Sequence, residues 1–226
     1  MSRYHNRTAV LATMHAKEQA IAPPLRRLGL SLVVPRGLDT DALGTFSGEV
    51  ERPGSPFAVA IRKARLGMAL ANMSLGLASE GSFRTNAWIE IETGGHEILA
   101  FVDAERNIEI VEALRAVPTN FANVQARPGD DLGAFLARIG FPAHALIVSP
   151  NSVATAFPAR RIQPGEVTKG LRDMTALDAA IAKAAAASAD GRAHIETDMR
   201  AHLNPTRMRS IAQLAGQLAD RLRREG

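Results

Sequence analysis

The sequence contains no cysteine, and this absence excludes disulfide bonds, catalysis by a thiolate and a zinc site built from cysteine ligands. Aromatic residues are scarce: one Trp and one Tyr argue against the stacking surfaces that bind single-stranded nucleic acid. No apolar run approaches the ~20 residues of a membrane-spanning helix. The first apolar stretch, residues 9–12, is too short for the core of a signal peptide. We therefore expect a soluble, cytoplasmic protein with no membrane partner.

A strong excess of one charge is also absent. The 27 Lys and Arg residues exceed the 23 Asp and Glu residues by four, which permits an anionic partner without requiring one. A chain of 226 residues can bury a sizeable core, so folding needs neither a metal nor a disulfide.

What the chain does contain is an alternation of short apolar runs and amphipathic stretches, which predicts an α/β fold. Residues 8–13 and 30–34 are predicted strands, and a short helix between them, ended or kinked by Pro23 and Pro24, would complete a βαβ unit. Ser55 and Pro56 predict the start of a further helix. Its core-facing residues are expected at helical spacing: Phe57, Ile61, Ala64, Met68 and Ala71.

The middle of the chain predicts a β-hairpin, because residues 87–93 and 97–102 flank Gly94-Gly95. Other strands are expected at 75–78, 107–113 and 143–148, and other helices at 130–139, 173–187 and 204–224. We predict one α/β domain over residues 1–226, with the last helix docked on it. Its mixed sheet would have parallel strands early, an antiparallel hairpin in the middle and helices on both faces.

Polar side chains follow the first predicted strand, where the chain turns into a helix. Ligands of open α/β sheets bind beyond the carboxyl ends of strands, and the start of a helix favours an anion. Thr13, His15 and Lys17 are therefore predicted to bind phosphate. In the alternative interpretation, Lys17 and Glu18 are solvated charges of the first helical turn.

The segment 39–49 concentrates three carboxylates, three hydroxyls and two glycines. Closely spaced carboxylates either share a proton or bind a hard cation such as Mg²⁺, so Asp41 and Glu49 are candidate metal ligands. The alternative is a solvated, turn-rich loop.

The segment 79–83 directly follows another predicted strand. Glu80 could act as a general base or metal ligand, Gly81 would let a ligand approach the backbone, and Ser79 and Ser82 could donate to an oxyanion. The alternative is an ordinary turn without a ligand.

Towards the carboxyl terminus, His194, Glu196 and Asp198 alternate with the residues at 195, 197 and 199, and on a strand they would share one face. They could bind a divalent metal or form the wet face of an edge strand. Arg207 lies in the first turn of the last helix, where the helix dipole disfavours a cation. This mismatch indicates an anionic partner near Arg207.

Four motifs, at residues 12–18, 39–49, 78–83 and 198–208, together resemble a bacterial family of uncharacterised proteins. The resemblance extends over nearly the whole chain and implies no known activity. That family has Gly-Pro-His-Pro after the Ser-Phe of the third motif, where this chain has residues 84–87, Arg-Thr-Asn-Ala. Many members also carry a cysteine pair beyond the last helix. The resemblance therefore brings neither that histidine nor a zinc site to this chain.

The first eighty or so residues also resemble the pyrophosphatases that clear non-standard purine nucleoside triphosphates. That family has a Thr-x-Asn motif with a nearby lysine, a Thr-Phe-Glu-Glu loop, a Lys-Ala helix and an acidic Ser-Gly turn. The corresponding positions here, in the same order, are Thr13, His15 and Lys17, then Thr45, Phe46 and Glu49, then Lys63 and Ala64, then Glu80 and Gly81.

The leading hypothesis is a Mg²⁺-dependent hydrolase of a phosphate-bearing small molecule, such as a nucleotide. Lys63 would offset charge in the transition state, and metal-bound water would be the nucleophile. Phosphate would be bound by Thr13, His15, Lys17, Ser82 and Arg207, and the metal by Asp41, Glu49 and Glu80, with Glu49 and Glu80 also catalytic. The alternative is a regulatory module without turnover that binds a ligand or, through its basic last helix, nucleic acid; the latter partner is not expected.

Overall fold

The computed structural model describes residues 2–13, 15–35, 37, 55–82, 95–117, 119–151 and 164–225. In these ranges the strands are β1 (Thr8–Ala12), β2 (Ser31–Val33), β3 (Leu75–Ser82), β4 (Gly95–Asp103), β5 (Ile108–Val117), β6 (Asn123–Ala126), β7 (Leu146–Pro150), β8 (Thr168–Leu171) and β9 (Ala193–Thr197). The α-helices are α1 (Glu18–Arg26), α2 (Pro56–Ala71), α3 (Gly133–Ile139), α4 (Met174–Ala186) and α5 (Pro205–Glu225).

The chain forms two compact units, Met1–Thr119 with Thr206–Gly226, and Asn120–Pro205. The first unit contains a five-stranded sheet in the order β2-β1-β3-β4-β5. β1 runs parallel to β2 and β3, whereas β4 runs antiparallel to β3 and β5. The predicted α/β class with a mixed sheet is therefore confirmed. The single domain with a docked last helix stays a prediction.

The core of the first unit follows from the apolar runs of its strands and the stripe of α5. Val10, Leu11 and Leu77 are completely buried. On α5 the apolar residues at helical spacing are buried as well, with Ile211, Leu214, Leu218 and Leu222 each at 0% exposure. Burial of such side chains is the main favourable term in folding, and here it fixes the sheet that carries the polar residues described below.

Helix α2 begins as predicted, because the Ser55 side chain accepts a hydrogen bond from the Ala58 amide at 3.3 Å and Pro56 opens the helix. The predicted core face is only partly right. Ala64 and Met68 are buried, but Phe57 is 40% exposed. The buried face is instead shifted to include a charged residue, Lys63.

The expectation that Pro23 and Pro24 end the first helix is wrong, since both lie inside α1. Ile21 and Leu25 are completely buried, and Pro24 is buried with them. Packing of this apolar face sustains the helix beyond two residues that disfavour it in isolation.

The alternative of an ordinary turn at residues 79–83 is also wrong for the described part of that segment. β3 continues through Ser82, paired residue by residue with β4, from Leu75 opposite Asp103 to Ser82 opposite His96. The hydrogen bonds of this ladder extend the strand four residues beyond its apolar run. The first arm of the predicted hairpin, 87–93, lies outside the described residues, and β4 pairs with β3 and β5.

The second unit contains a sheet that the sequence did not predict, with strand order β6-β9-β7-β8 and antiparallel pairing throughout. α4 begins where Asp173 accepts a hydrogen bond from the Ala176 amide at 2.8 Å, and α3 ends at Gly140 in the left-handed conformation. Leu177 of α4 joins Val148 and Ile195 in the core of this unit. None of the described helices is both long and apolar enough to cross a membrane.

We expect Leu214→Ala to lower the free energy of unfolding by about 3 kcal/mol, because it leaves a cavity in a completely buried part of α5. Gln213→Ala is the matched control on the exposed face of the same helix, and it should change stability by less than about 0.5 kcal/mol. Urea unfolding followed by circular dichroism measures both, and equal effects would contradict this packing.

Candidate functional site

A notch in the five-stranded sheet lies at the carboxyl end of β1. The pairing of β1 with β3 ends at Ala12 opposite Ala78, but β3 continues to Ser82. Among the described strands, residues 79–82 therefore pair with β4 alone. The chain leaves β1 at this point and enters α1. The notch therefore lies beyond the carboxyl end of a parallel strand, which is where ligands of such sheets bind.

Lys63 and Glu80 form a buried ion pair on one face of β3. The Nζ atom of Lys63 lies 2.6 Å from Oε2 of Glu80, and the two side chains are 7% and 5% exposed. Glu80 also accepts a 3.4 Å hydrogen bond from the Gly81 amide. Glu80 is thereby held beside a cation and a backbone donor, both of which stabilise its ionised form.

Arg207 and Glu97 form a second buried ion pair, in which Nε of Arg207 donates to Oε1 of Glu97 at 2.5 Å. Side chains alternate along a strand, so Gly81 faces away from Glu80 and towards this second pair. A Cβ atom at Gly81 would lie 2.5 Å from Nη2 of Arg207 and 2.9 Å from Oε2 of Glu97. The second pair occupies this space because residue 81 has no side chain.

Lys17 connects the two faces at the edge of the notch. Its ammonium group donates to the main-chain carbonyl of Ser79 at 3.2 Å, and the residue is 8% exposed. The pKa of Lys17 is lowered to about 8, chiefly by burial and next by the nearby charge of Arg207, whereas Glu97 and Glu80 oppose this shift. Lys17 is thus a cation that is held at a strand end at a cost in desolvation.

We call these five residues the charged cluster: Lys17, Lys63, Glu80, Glu97 and Arg207. It combines three cations with two carboxylates, and every member is less than a tenth exposed. When Lys17 is protonated, the cluster carries one surplus positive charge. A buried surplus of this kind is stabilised by an anion, and ammonium and guanidinium groups form their strongest hydrogen bonds with phosphate or carboxylate oxygens.

The structure brings Lys17, Lys63, Glu80 and Arg207, four residues predicted for the site, into one cluster. The Oγ1 atom of buried Thr13 accepts a 3.4 Å hydrogen bond from the amide of half-buried His15, just before Lys17. Ser82 is the last residue of β3. Asp41 and Glu49 lie outside the described residues, as does the side chain of Ser82.

Sequence reasoning missed Glu97, although a signal for it exists. Glu97 precedes the apolar run 98–102, and it is completely buried. A carboxylate at a core position requires a cation, and the misplaced charge of Arg207 at a helix start required an anion. Each of the two residues supplies the opposite charge that the other requires. Glu97 is therefore part of the anionic partner expected near Arg207.

The candidate segment that contains His194, Glu196 and Asp198 does not form a metal site among its described residues. Nε2 of His194 lies 3.6 Å from Oε2 of Glu196, both on β9. Asp198 instead follows the strand, is completely buried and binds Arg200 at 2.7 Å. Over all the described ranges, no three His, Asp or Glu side chains cluster closely enough to hold a metal ion.

Comparison with known proteins places the chain in a family whose function is unknown. The model of the family "Domain of unknown function (DUF6671)" matches residues 63–225, and the chain belongs to this family. No curated protein and no solved structure matches the chain. The predicted resemblance to an uncharacterised family is confirmed to that extent.

The lowered pKa of Lys17 makes stability depend on pH. Between a folded pKa of about 8 and an unfolded pKa of about 10.4, the unfolded state binds more protons, so the free energy of unfolding should rise with pH. Against Lys17→Met, which lacks this proton, the wild type should gain up to roughly 3 kcal/mol from pH 7 to 10. Urea unfolding of both proteins at each pH measures the gain, and a constant difference would contradict it.

Gly81→Ala should displace the Arg207–Glu97 pair, since the new Cβ would overlap both side chains. We expect the free energy of unfolding to fall by about 1–3 kcal/mol, the usual cost of overpacking. Gly216→Ala is the matched control, because a Cβ there meets nothing within 4 Å and alanine favours a helix. If thermal unfolding shows no loss for Gly81→Ala, the close approach described here is wrong.

Proposed function

We propose that this member of the DUF6671 family binds a phosphate-bearing small molecule, such as a nucleotide, in the notch at the end of β1, and hydrolyses it with Mg²⁺. One observation carries the proposal: the charged cluster holds three buried cations against two carboxylates, at the strand end where a ligand is expected.

The environment of Lys17 gives the most direct support for a ligand. Lys63 and Arg207 each have a carboxylate partner, but Lys17 donates to the Ser79 carbonyl. A neutral acceptor compensates a buried ammonium less than a charged one does, so an anion beside Lys17 would recover desolvation energy. Phosphate suits the position because it can accept hydrogen bonds from several donors at once.

The proposed reaction rests on the chemistry of three carboxylates and one lysine. Glu80 would hold Mg²⁺ or activate water, and the other proposed metal ligands, Asp41 and Glu49, would complete the coordination. A bound Mg²⁺ polarises phosphoryl oxygens and generates a nucleophile from water. Lys63, already on Glu80, would offset negative charge in the transition state. The resemblance of the first eighty residues to nucleoside triphosphate pyrophosphatases favours a nucleotide as the substrate.

The basic last helix gives less support to a nucleic-acid partner. Arg207 is 3% exposed, and Arg221 and Arg223 are paired with carboxylates, Arg221 with Glu112 and Glu225, and Arg223 with Asp220. Arg221 and Arg223 would each have to exchange a carboxylate partner for a phosphate in order to contact a nucleic-acid backbone.

The test is phosphate and pyrophosphate release from a panel of nucleoside triphosphates, with and without Mg²⁺. We expect Mg²⁺-dependent release by the wild type. Lys17→Met should raise the Kd for the nucleotide at least about tenfold, since it removes a charge-assisted hydrogen bond. Glu80→Gln should abolish release while the protein stays folded.

Lys183→Met makes the same chemical change on the exposed surface of α4 and should leave release and binding unaltered. Nucleotide binding that depends on Lys17 without any turnover would reject the hydrolase and leave a binding module. Absence of both binding and turnover would reject the site as a whole.

A further inference from the structure

Ser79 carries a polar atom that the charged cluster does not explain. Its Oγ is buried and, within the part of the chain that the structure describes, has no hydrogen-bond partner; the residue is 4% exposed. A buried hydroxyl can both donate and accept, and leaving it unpaired costs free energy that folding ordinarily avoids. Such an atom in a native core requires an explanation.

The position of Ser79 provides one. The strand alternation places the side chain of Ser79 on the same face as Gly81, which is the face that Arg207 covers. The two residues are roughly 7 Å apart along β3. The ammonium group of Lys17 reaches the carbonyl of Ser79 itself, at 3.2 Å. A hydroxyl, an ammonium and a guanidinium therefore approach one short stretch of strand.

We infer that the Ser79 hydroxyl is a ligand-binding group that donates to an oxygen of the phosphate held by Lys17 and Arg207. The inference rests on the proposed function, since it names a further contact in the same site. The hydroxyl would be satisfied when phosphate is bound and unsatisfied when it is absent. The Ser79 hydroxyl would thereby lower the stability of the free protein and raise its affinity for phosphate, as groups in binding sites commonly do.

The variant Ser79→Ala separates this role from a structural one. Replacing a buried hydroxyl that has no partner by a methyl group should keep or raise the melting temperature of the free protein. The same change should raise the Kd for inorganic phosphate and for ATP, measured by titration calorimetry at pH 7, at least about tenfold. Stability and affinity should thus move in opposite directions.

Ser74→Ala is the matched control just before β3. The Ser74 hydroxyl donates to Glu105 at 2.7 Å and accepts from Arg7 at 3.3 Å, so its loss should lower the melting temperature and leave both Kd values unchanged. This control shows how a serine with only structural partners behaves in the same assay.

Each other outcome overturns the inference. If Ser79→Ala binds phosphate and ATP as tightly as the wild type, the hydroxyl is not a ligand contact, and the proposed function survives. If Ser79→Ala melts at a lower temperature or fails to fold, the hydroxyl stabilises the free protein, for example through a buried water. If the wild type itself binds neither probe, the proposed function fails and this inference with it.

Discussion

The charged cluster depends on the ion pair between Lys63 and Glu80, in which two opposite charges are buried beside the apolar side chains of the first unit. Each partner is nearly inaccessible to water, so neither can be removed without leaving the other buried and uncompensated. Paired ions inside a protein contribute little net stability over apolar residues of the same shape. Under the proposed function, their presence at a strand end serves the binding of a ligand.

The arrangement across β3 has a simple physical basis. Neighbouring residues of a strand face opposite sides, so Glu80 and Gly81 place one ion pair on each face of the same sheet. The electrostatic influence of Arg207, Glu97, Glu80 and Lys63 on Lys17 shows that the pairs act on a common region. Charges on both sides of a single strand can therefore respond to one ligand at its edge.

Much of the fold is predictable because its signals are local. The cap at Ser55, the cap at Asp173 and the apolar stripe of α5 depend on residues a few positions apart, and all three appear in the structure. Pro23, Pro24 and the extension of β3 were misjudged because partners distant in sequence decide them. The second sheet was missed because its strands are four or five residues long and pair out of chain order.

For the site, sequence reasoning found the three cations and Glu80 but missed Glu97. Lys17, Lys63, Glu80 and Arg207 were chosen for their chemistry and position along the chain, and the fold brings them together. The pairing of Arg207 with Glu97 joins residues that are 110 positions apart, and no spacing rule connects them. Long-range pairing of this kind becomes visible only when the sheet and the last helix are assembled.

The overhang of β3 has one more consequence, which concerns self-association. A strand edge with free carbonyl groups is a template on which an extended segment of another chain can add by hydrogen bonding. At Ser79 the acceptor is already occupied by the ammonium group of Lys17. Any strand that paired with this carbonyl would first have to displace the buried ammonium group of Lys17.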